Sequence, residues 1–209
     1  MNVLIVHNKY KQKGGEDVVV ENETKLLKEM GYNVYTYIRS NEELNGMSFF
    51  QKICLPFTTI FSIKSYREVY KLIIENKIDI LHVHNTLCVI SPSVYYAGFK
   101  AKIPVFETIH NFRLLCPGGL FLKDCKICTD CVDKGLYMAL RGKCYRNSFV
   151  QTITVVMMLK VHRILGTYNR LNYICLSEFN KTQILKLNSI KGVSINENQV
   201  FVKPNFMDK

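Results

Sequence analysis

The chain has 209 residues, 48% of them hydrophobic and 22% charged, a balance that suits one well-filled core and excludes wholesale disorder. No run approaches the ~20 apolar residues of a membrane-spanning helix, and MNVLIVHN at the start has neither the basic region nor the small-residue cleavage site of a signal peptide. A cytoplasmic location is therefore expected, with the eight cysteines as thiols or metal ligands rather than disulfides. Lys and Arg number 28 against 17 Asp and Glu, a net charge of +11, and between Lys100 and Arg170 the balance is twelve against four. Such a surplus calls for an anionic partner: nucleic acid, an acidic lipid surface or a phosphorylated substrate.

Residues 2–7 (Asn-Val-Leu-Ile-Val-His) are an unbroken apolar and β-branched run, which predicts a strand buried on both faces. After the polar stretch Asn8 to Glu16, a helix is expected from Asp17 to Met30, with Val19, Leu26, Leu27 and Met30 on one face and Gly31 closing it. Further strands are expected at 33–38, 79–84, 104–109, 172–176 and 199–203, with helices between most of them. That alternation predicts a doubly wound α/β domain, a parallel sheet with helices on both faces. Met47 to Ile63 mixes Phe49, Phe50, Phe57, Ile60 and Phe61 with Lys52, followed by Lys64 and Arg67. It reads either as an interfacial membrane contact or as a core-packing helix kinked at Pro56. Phe149 to Tyr168 reads as a core helix with Lys160, His162 and Arg163 on its wet face.

Asn111 to Asn147 shows no period, and a loop of that length needs something to hold it. It contains Cys116, Cys125, Cys128, Cys131 and Cys144. The two Cys-x2-Cys spacings allow thiolates to converge on one tetrahedral ion, so a structural zinc is expected, which would order the segment directly. Five cysteines for four places leave one spare. The alternative is a set of reduced thiols packed as small hydrophobes, the reading given to the isolated Cys54, Cys88 and Cys175.

Polar groups fall repeatedly at expected strand ends: Gly14-Gly15-Glu16, His84-Asn85, His110-Asn111, Ser177-Glu178 and Asn205. Open parallel sheets bind ligands outside the carboxyl ends of their strands. Gly14 and Gly15 would admit an anion or sugar close to the backbone at a helix N-terminus, or simply form a tight turn. Neither G-x-G-x-x-G nor the Walker lysine pattern occurs. Ser177 could cap the helix that Glu178 begins, and His82 with His84 could be a buried, satisfied pair rather than a metal site.

Together with Cys144-Tyr145-Arg146, Leu176 to Phe179 and Lys203 to Phe206, the motif His110 to Phe121 (HNFRLLCPGGLF) resembles the N-terminal half of a family 4 glycosyltransferase of the GT-B fold. The similarity is to the branch found in capsule, O-antigen and exopolysaccharide clusters, and it covers essentially the whole chain. It implies a Rossmann-like acceptor domain of a retaining transferase that moves a sugar from a nucleotide-sugar to a lipid-linked or growing glycan, without a catalytic metal. It implies that Gly14, Gly15 and Glu16 lie against donor phosphates and acceptor, with His110 and Glu16 at the chemistry. His84, Asn85, Asn111, Ser177, Glu178 and Asn205 would line the cleft. It also implies that Cys116, Cys128, Cys131 and Cys144 are the zinc set, with Cys125 spare. A second, nucleotide-binding domain with an Arg/Lys pair and a Glu-x7-Glu motif would follow Lys209, so residues 1–209 are expected to form a single acceptor domain, inactive alone. An acceptor at an anionic membrane leaflet would account for the basic middle third through peripheral contact.

Two other classes remain: a zinc-stapled basic module binding nucleic acid or another anion, and a nucleotide-dependent enzyme with a diverged fingerprint. Basic and aromatic residues are not interleaved as an RNA-stacking surface would require, and the missing glycine pattern weighs against the third.

Overall fold

The computed structural model describes residues 1–205. In chain order it has β1 (Asn2–Lys9), α1 (Gly15–Glu29), β2 (Asn33–Ser40), α2 (Phe49–Ile60), α3 (Ile63–Glu75), β3 (Ile80–Asn85), α4 (Ser93–Ala101) and β4 (Val105–Ile109). The segment expected to lack structure contains a hairpin, β5 (Leu122–Lys123) and β6 (Lys126–Ile127), then short helices α5 (Asp130–Asp133) and α6 (Tyr137–Gly142). After it come α7 (Phe149–Ile164), β7 (Asn172–Cys175), α8 (Glu178–Leu185) and β8 (Val200–Val202).

Six strands form one parallel sheet in the order β2-β1-β3-β4-β7-β8. Val3 lies beside Val34 on one side and Ile80 on the other, and Phe106 beside Asn172. The winding reverses between β1 and β3, the place where such sheets open a crevice. This is the doubly wound α/β domain that the alternation predicts, of the Rossmann-like kind that the resemblance implies.

A single large core joins Leu4, Val6, Leu81, Val83 and Tyr173 of the sheet to α3, α4 and α7. Gly98 in α4 lets that helix touch the sheet: a β-carbon there would come within 2.5 Å of Val105 Cγ2. On the α1 side the apolar contact is small, Val3, Ile5 and Val20 with Leu27 and Val34.

Three helices differ from expectation. α1 buries Asp17, Val20 and Glu23, while Met30 is exposed, because the sheet beneath it presents histidines that engage the two carboxylates. α2 is not a core helix: Phe49, Phe50 and Phe57 are 74, 77 and 73% exposed and Thr59 is its one buried residue, with Pro56 inside the helix. In α7, Lys160 is exposed but His162 and Arg163 are buried. His162 Nε2 lies 2.9 Å from the Ile60 carbonyl and Arg163 Nη2 donates to the Leu114 carbonyl at 2.6 Å, so both polar heads are anchored to backbone, though Arg163 Nε is buried without a partner.

Candidate functional site

The site forms at the carboxyl ends of β1, β3 and β4 on the α1 face. Two carboxylates near the start of α1 are fixed from opposite sides. Asp17 accepts from the Gly14 amide at 2.7 Å and stands 2.8 Å from the buried His7 Nε2. Burial alone would raise the Asp17 carboxyl, but these two partners bring it below its ordinary value. Glu16 Oε1 accepts from Asn111 Nδ2 at 3.0 Å, joining the glycine turn to the end of β4. Its Oε2 is buried without a partner, and burial raises the Glu16 carboxyl. Gly15 has open space where a β-carbon would project, so packing does not demand glycine there.

Behind this turn runs a polar chain through the molecule. Lys203 Nζ, just past β8, lies 2.7 Å from Glu23 Oε1. Glu23 Oε2 lies 3.4 Å from His84 Nε2, and His84 Nδ1 lies 3.0 Å from His110 Nε2. His82 stacks 4.3 Å from His84, centroid to centroid, with its Nε2 2.8 Å from Thr108 Oγ1. Burial holds His82 and His84 below the ordinary histidine range and brings His110 down to about 4. The imidazoles are therefore neutral at pH 7, each with one N–H. His84 Nε2 is buried without a hydrogen-bond partner, so the one proton shared by His84 Nδ1 and His110 Nε2 can sit on either nitrogen.

Among the described residues, Glu23, His82 and His84 are a group whose ligand atoms close to within 4.8 Å of one another. The Lys203 ammonium supplies the positive charge at this carboxylate; of the histidine pair, His82 is hydrogen-bonded through Thr108, whereas His84 Nε2 is buried without a hydrogen-bond partner.

The structure brings together Gly14, Gly15, Glu16, His84, His110 and Asn111. It gives the others different work. The Asn85 amide holds the loop after β3, donating to the Asn8 carbonyl at 3.0 Å and accepting from the Leu87 N–H at 3.1 Å. Ser177 Oγ accepts from the Asn180 amide at 3.2 Å, a helix cap, and Glu178 begins α8 exposed. Asn205 is exposed beyond β8, and Phe206 lies outside the described residues. Sequence reading missed Glu23, Lys203, His7 as a partner of Asp17, and Arg113, whose Nη1 donates to Tyr10 Oη at 3.2 Å. A signal for Glu23 existed: it stands seven residues after Glu16, two turns along the same helix face.

Within the insertion, Asp124 and Cys125 both take left-handed φ values, +49° and +59°, at the tip of the β5–β6 hairpin. Cys125 is exposed there, while Cys116 and Cys131 are buried. Burial together with the Cys116, Cys144 and Cys128 thiols pushes Cys131 up to about 12. Of the isolated cysteines, Cys175 is buried as expected, but Cys54 is exposed and Cys88 Sγ lies 3.3 Å from Asn41 Oδ1.

No family model matches the sequence, and no curated protein does. Among solved structures, the chain is similar to MnaA of S. aureus in a co-structure with UDP, at 10% identity and a TM-score of 0.46, over 92% of this chain and 43% of that one. It is also similar to MurG of Acinetobacter baumannii, at 11% identity and a TM-score of 0.38, over 100% and 69%. A third likeness is to a LacI family transcriptional regulator, CCPA, of Weissella paramesenteroides with bound glucose, at 8% identity and a TM-score of 0.33, over 95% and 78%. The chain thus spans less than half of the S. aureus protein's length. At these scores the fold assignment rests on the sheet order itself.

Proposed function

We propose that this chain is the acceptor-side domain of a retaining, family 4-type glycosyltransferase acting on cell-surface polysaccharide. The observation that supports it most is an unfilled buried acceptor, Glu16 Oε2, beside the open Gly15 turn, with Asn111 tying it to the strand end that carries the neutral His110. Sugar hydroxyls are donors that suit such an atom, and neutral imidazole accepts where imidazolium could not. In this reading His110 takes a hydroxyl of the donor sugar, and Glu16 orients the acceptor hydroxyl. The Gly14–Gly15 turn and the α1 N-terminus face the donor phosphates. Charge on the departing diphosphate is then stabilised by a nucleotide-binding domain following Lys209.

The same reading places a structural zinc on Cys116, Cys128, Cys131 and Cys144. The thiols bearing on Cys131 suit a cation, since clustered thiolates repel one another without one. Gly142 clears room for Cys144 Sγ, which would lie 2.8 Å from a β-carbon there. Zinc would order the insertion and leave the chemistry to the strand ends. Peripheral contact with an anionic cytoplasmic membrane face fits the exposed phenylalanines of α2.

The test is transfer of label from a panel of nucleotide-sugars to extractable glycan by the native polypeptide, with cell membranes as acceptor source. His110→Ala and Glu16→Gln are each expected to lower transfer at least 100-fold while the protein stays folded. Full activity in both variants would sink the reading. Residues 1–209 alone are expected to transfer nothing.

A further inference from the structure

We propose that the groove between α2 and α7 binds a lipid phosphate, its hydrocarbon lying against Leu55, Pro56, Leu87, Val150 and Val155 and its phosphate held by Arg146 and Lys52. The groove has a volume of about 300 Å³, and no carboxylate lines it, whereas Lys52 and Arg146 do. An apolar slot with a few cations at one end matches one ligand chemistry, a hydrocarbon chain ending in an anion.

The charges at that end are poorly balanced by the protein. Arg113 and Arg146 share one aromatic ring, their guanidinium carbons 5.7 and 5.4 Å from the Tyr145 centroid. Arg113 Nε is buried without a partner. Among the described residues neither Lys52 nor Arg146 makes an ion pair. Arg146 and Asn147 both take φ of +53°, a conformation that costs energy in residues bearing a β-carbon. The Tyr145 amide donates to Thr152 Oγ1 of α7 at 3.0 Å, fixing the ring that both arginines use. Burial pushes the Cys88 thiol on the groove wall up, while Arg146 pulls it down. Arg146, which does line the groove, suits the bidentate recognition of phosphate, and the first turn of α7, with Val150 and Gln151 on the groove, adds the positive end of its dipole.

The groove meets the strand-edge site. Leu87 lines it and also the small cavity of about 40 Å³ beside His110, where Arg113 stands. The source of the ligand is a bilayer: Phe49, Phe50 and Phe57 on the outer side of α2 are exposed beside Lys52, a pattern that seats a helix at the lipid headgroups. As a binding site the groove stands by itself; as the seat of the acceptor it rests on the transferase reading.

The test is calorimetric titration of the full 209-residue chain with farnesyl phosphate, farnesol and inorganic phosphate. Farnesyl phosphate is expected to bind one per chain, at least tenfold tighter than farnesol, with no binding of inorganic phosphate at the same concentration. Arg146→Gln should weaken binding at least tenfold, and Val150→Trp, which fills the groove from an exposed position, should abolish it with an unchanged melting temperature. Equal binding of farnesol and farnesyl phosphate, equal competition by inorganic phosphate, or unaltered binding in both variants would overturn the proposal. Lipid binding without sugar transfer would remove the transferase reading alone; sugar transfer without lipid binding would remove the groove alone.

Discussion

Glu107 of β4 sits among Tyr95, Tyr168 and Tyr173, and burial pushes its carboxyl up to about 7. The folded state therefore favours the protonated acid. Its contribution is intact below the unfolded value near 4.5 and is lost as pH rises through about 7. Glu107→Gln removes that dependence: relative to the parent, it should gain about 3 kcal/mol between pH 5 and pH 8 in urea unfolding. The histidines act with the opposite sign. All five (His7, His82, His84, His110 and His162) are held below 6.5 chiefly by burial. Stability is full above 6.5 and falls as the unfolded chain takes up protons that the folded one refuses, down to about 4 at His110. His110 alone removes up to about 3 kcal/mol across that window. Five groups outweigh one, so net stability should drop steeply from pH 7 to pH 5; a flat profile would contradict the buried neutral imidazoles. At this scale the sequence shows which residue types end each strand, but not that Lys203 reaches Glu23 across 180 positions, because no local pattern encodes a partner that distant.

At the scale of elements, the strands were legible because β-branched runs between turn residues admit few other readings, and β1 and β3 lie within two residues of expectation at either end. The helices were less so. Apolar spacing in α1 pointed to Leu26 and Met30, yet the buried side is set by the histidines opposite, which a one-helix pattern does not contain. The α2 phenylalanines illustrate the same limit: spacing cannot say whether a stripe meets protein, lipid or water. Phe49→Ser, Phe50→Ser and Phe57→Ser combined should shift the melting temperature little, since exposed side chains contribute little to folding, while flotation with anionic vesicles is lost. For the insertion, elemental analysis should find one zinc per chain, and Cys131→Ser should open residues 122–147 to proteolysis. Cys125→Ser should change neither result.

At the scale of the molecule, the net charge of +11 bears on which anion is met. Contact with lipid phosphates through a few lysines and an apolar helix should survive 150 mM salt, because insertion adds a salt-independent part. Binding to random oligonucleotides that is measurable at physiological salt and steeply salt-dependent, together with no vesicle binding, would favour the nucleic-acid module. A doubly wound sheet was implied by the alternation of elements, though the strand order, and with it the reversal between β1 and β3, was not, since it depends on which side each crossover takes. An immunoblot of the source cells against this chain should show a band near twice its mass if a nucleotide-binding domain follows Lys209.

The thin apolar layer beneath α1 has one further consequence. Helices α3, α4 and α7 are clamped to the sheet by a large dry core, but α1 is held by a few aliphatic contacts and by carboxylates facing histidines. Its opening free energy should therefore be the lower of the two and fall with acid, so its amides should lose hydrogen-exchange protection before those of α7 as pH drops from 7 to 6. The helix that carries the glycine turn and Glu16 is then a hinged wall, whose closure is tuned by the proton content of the layer behind it.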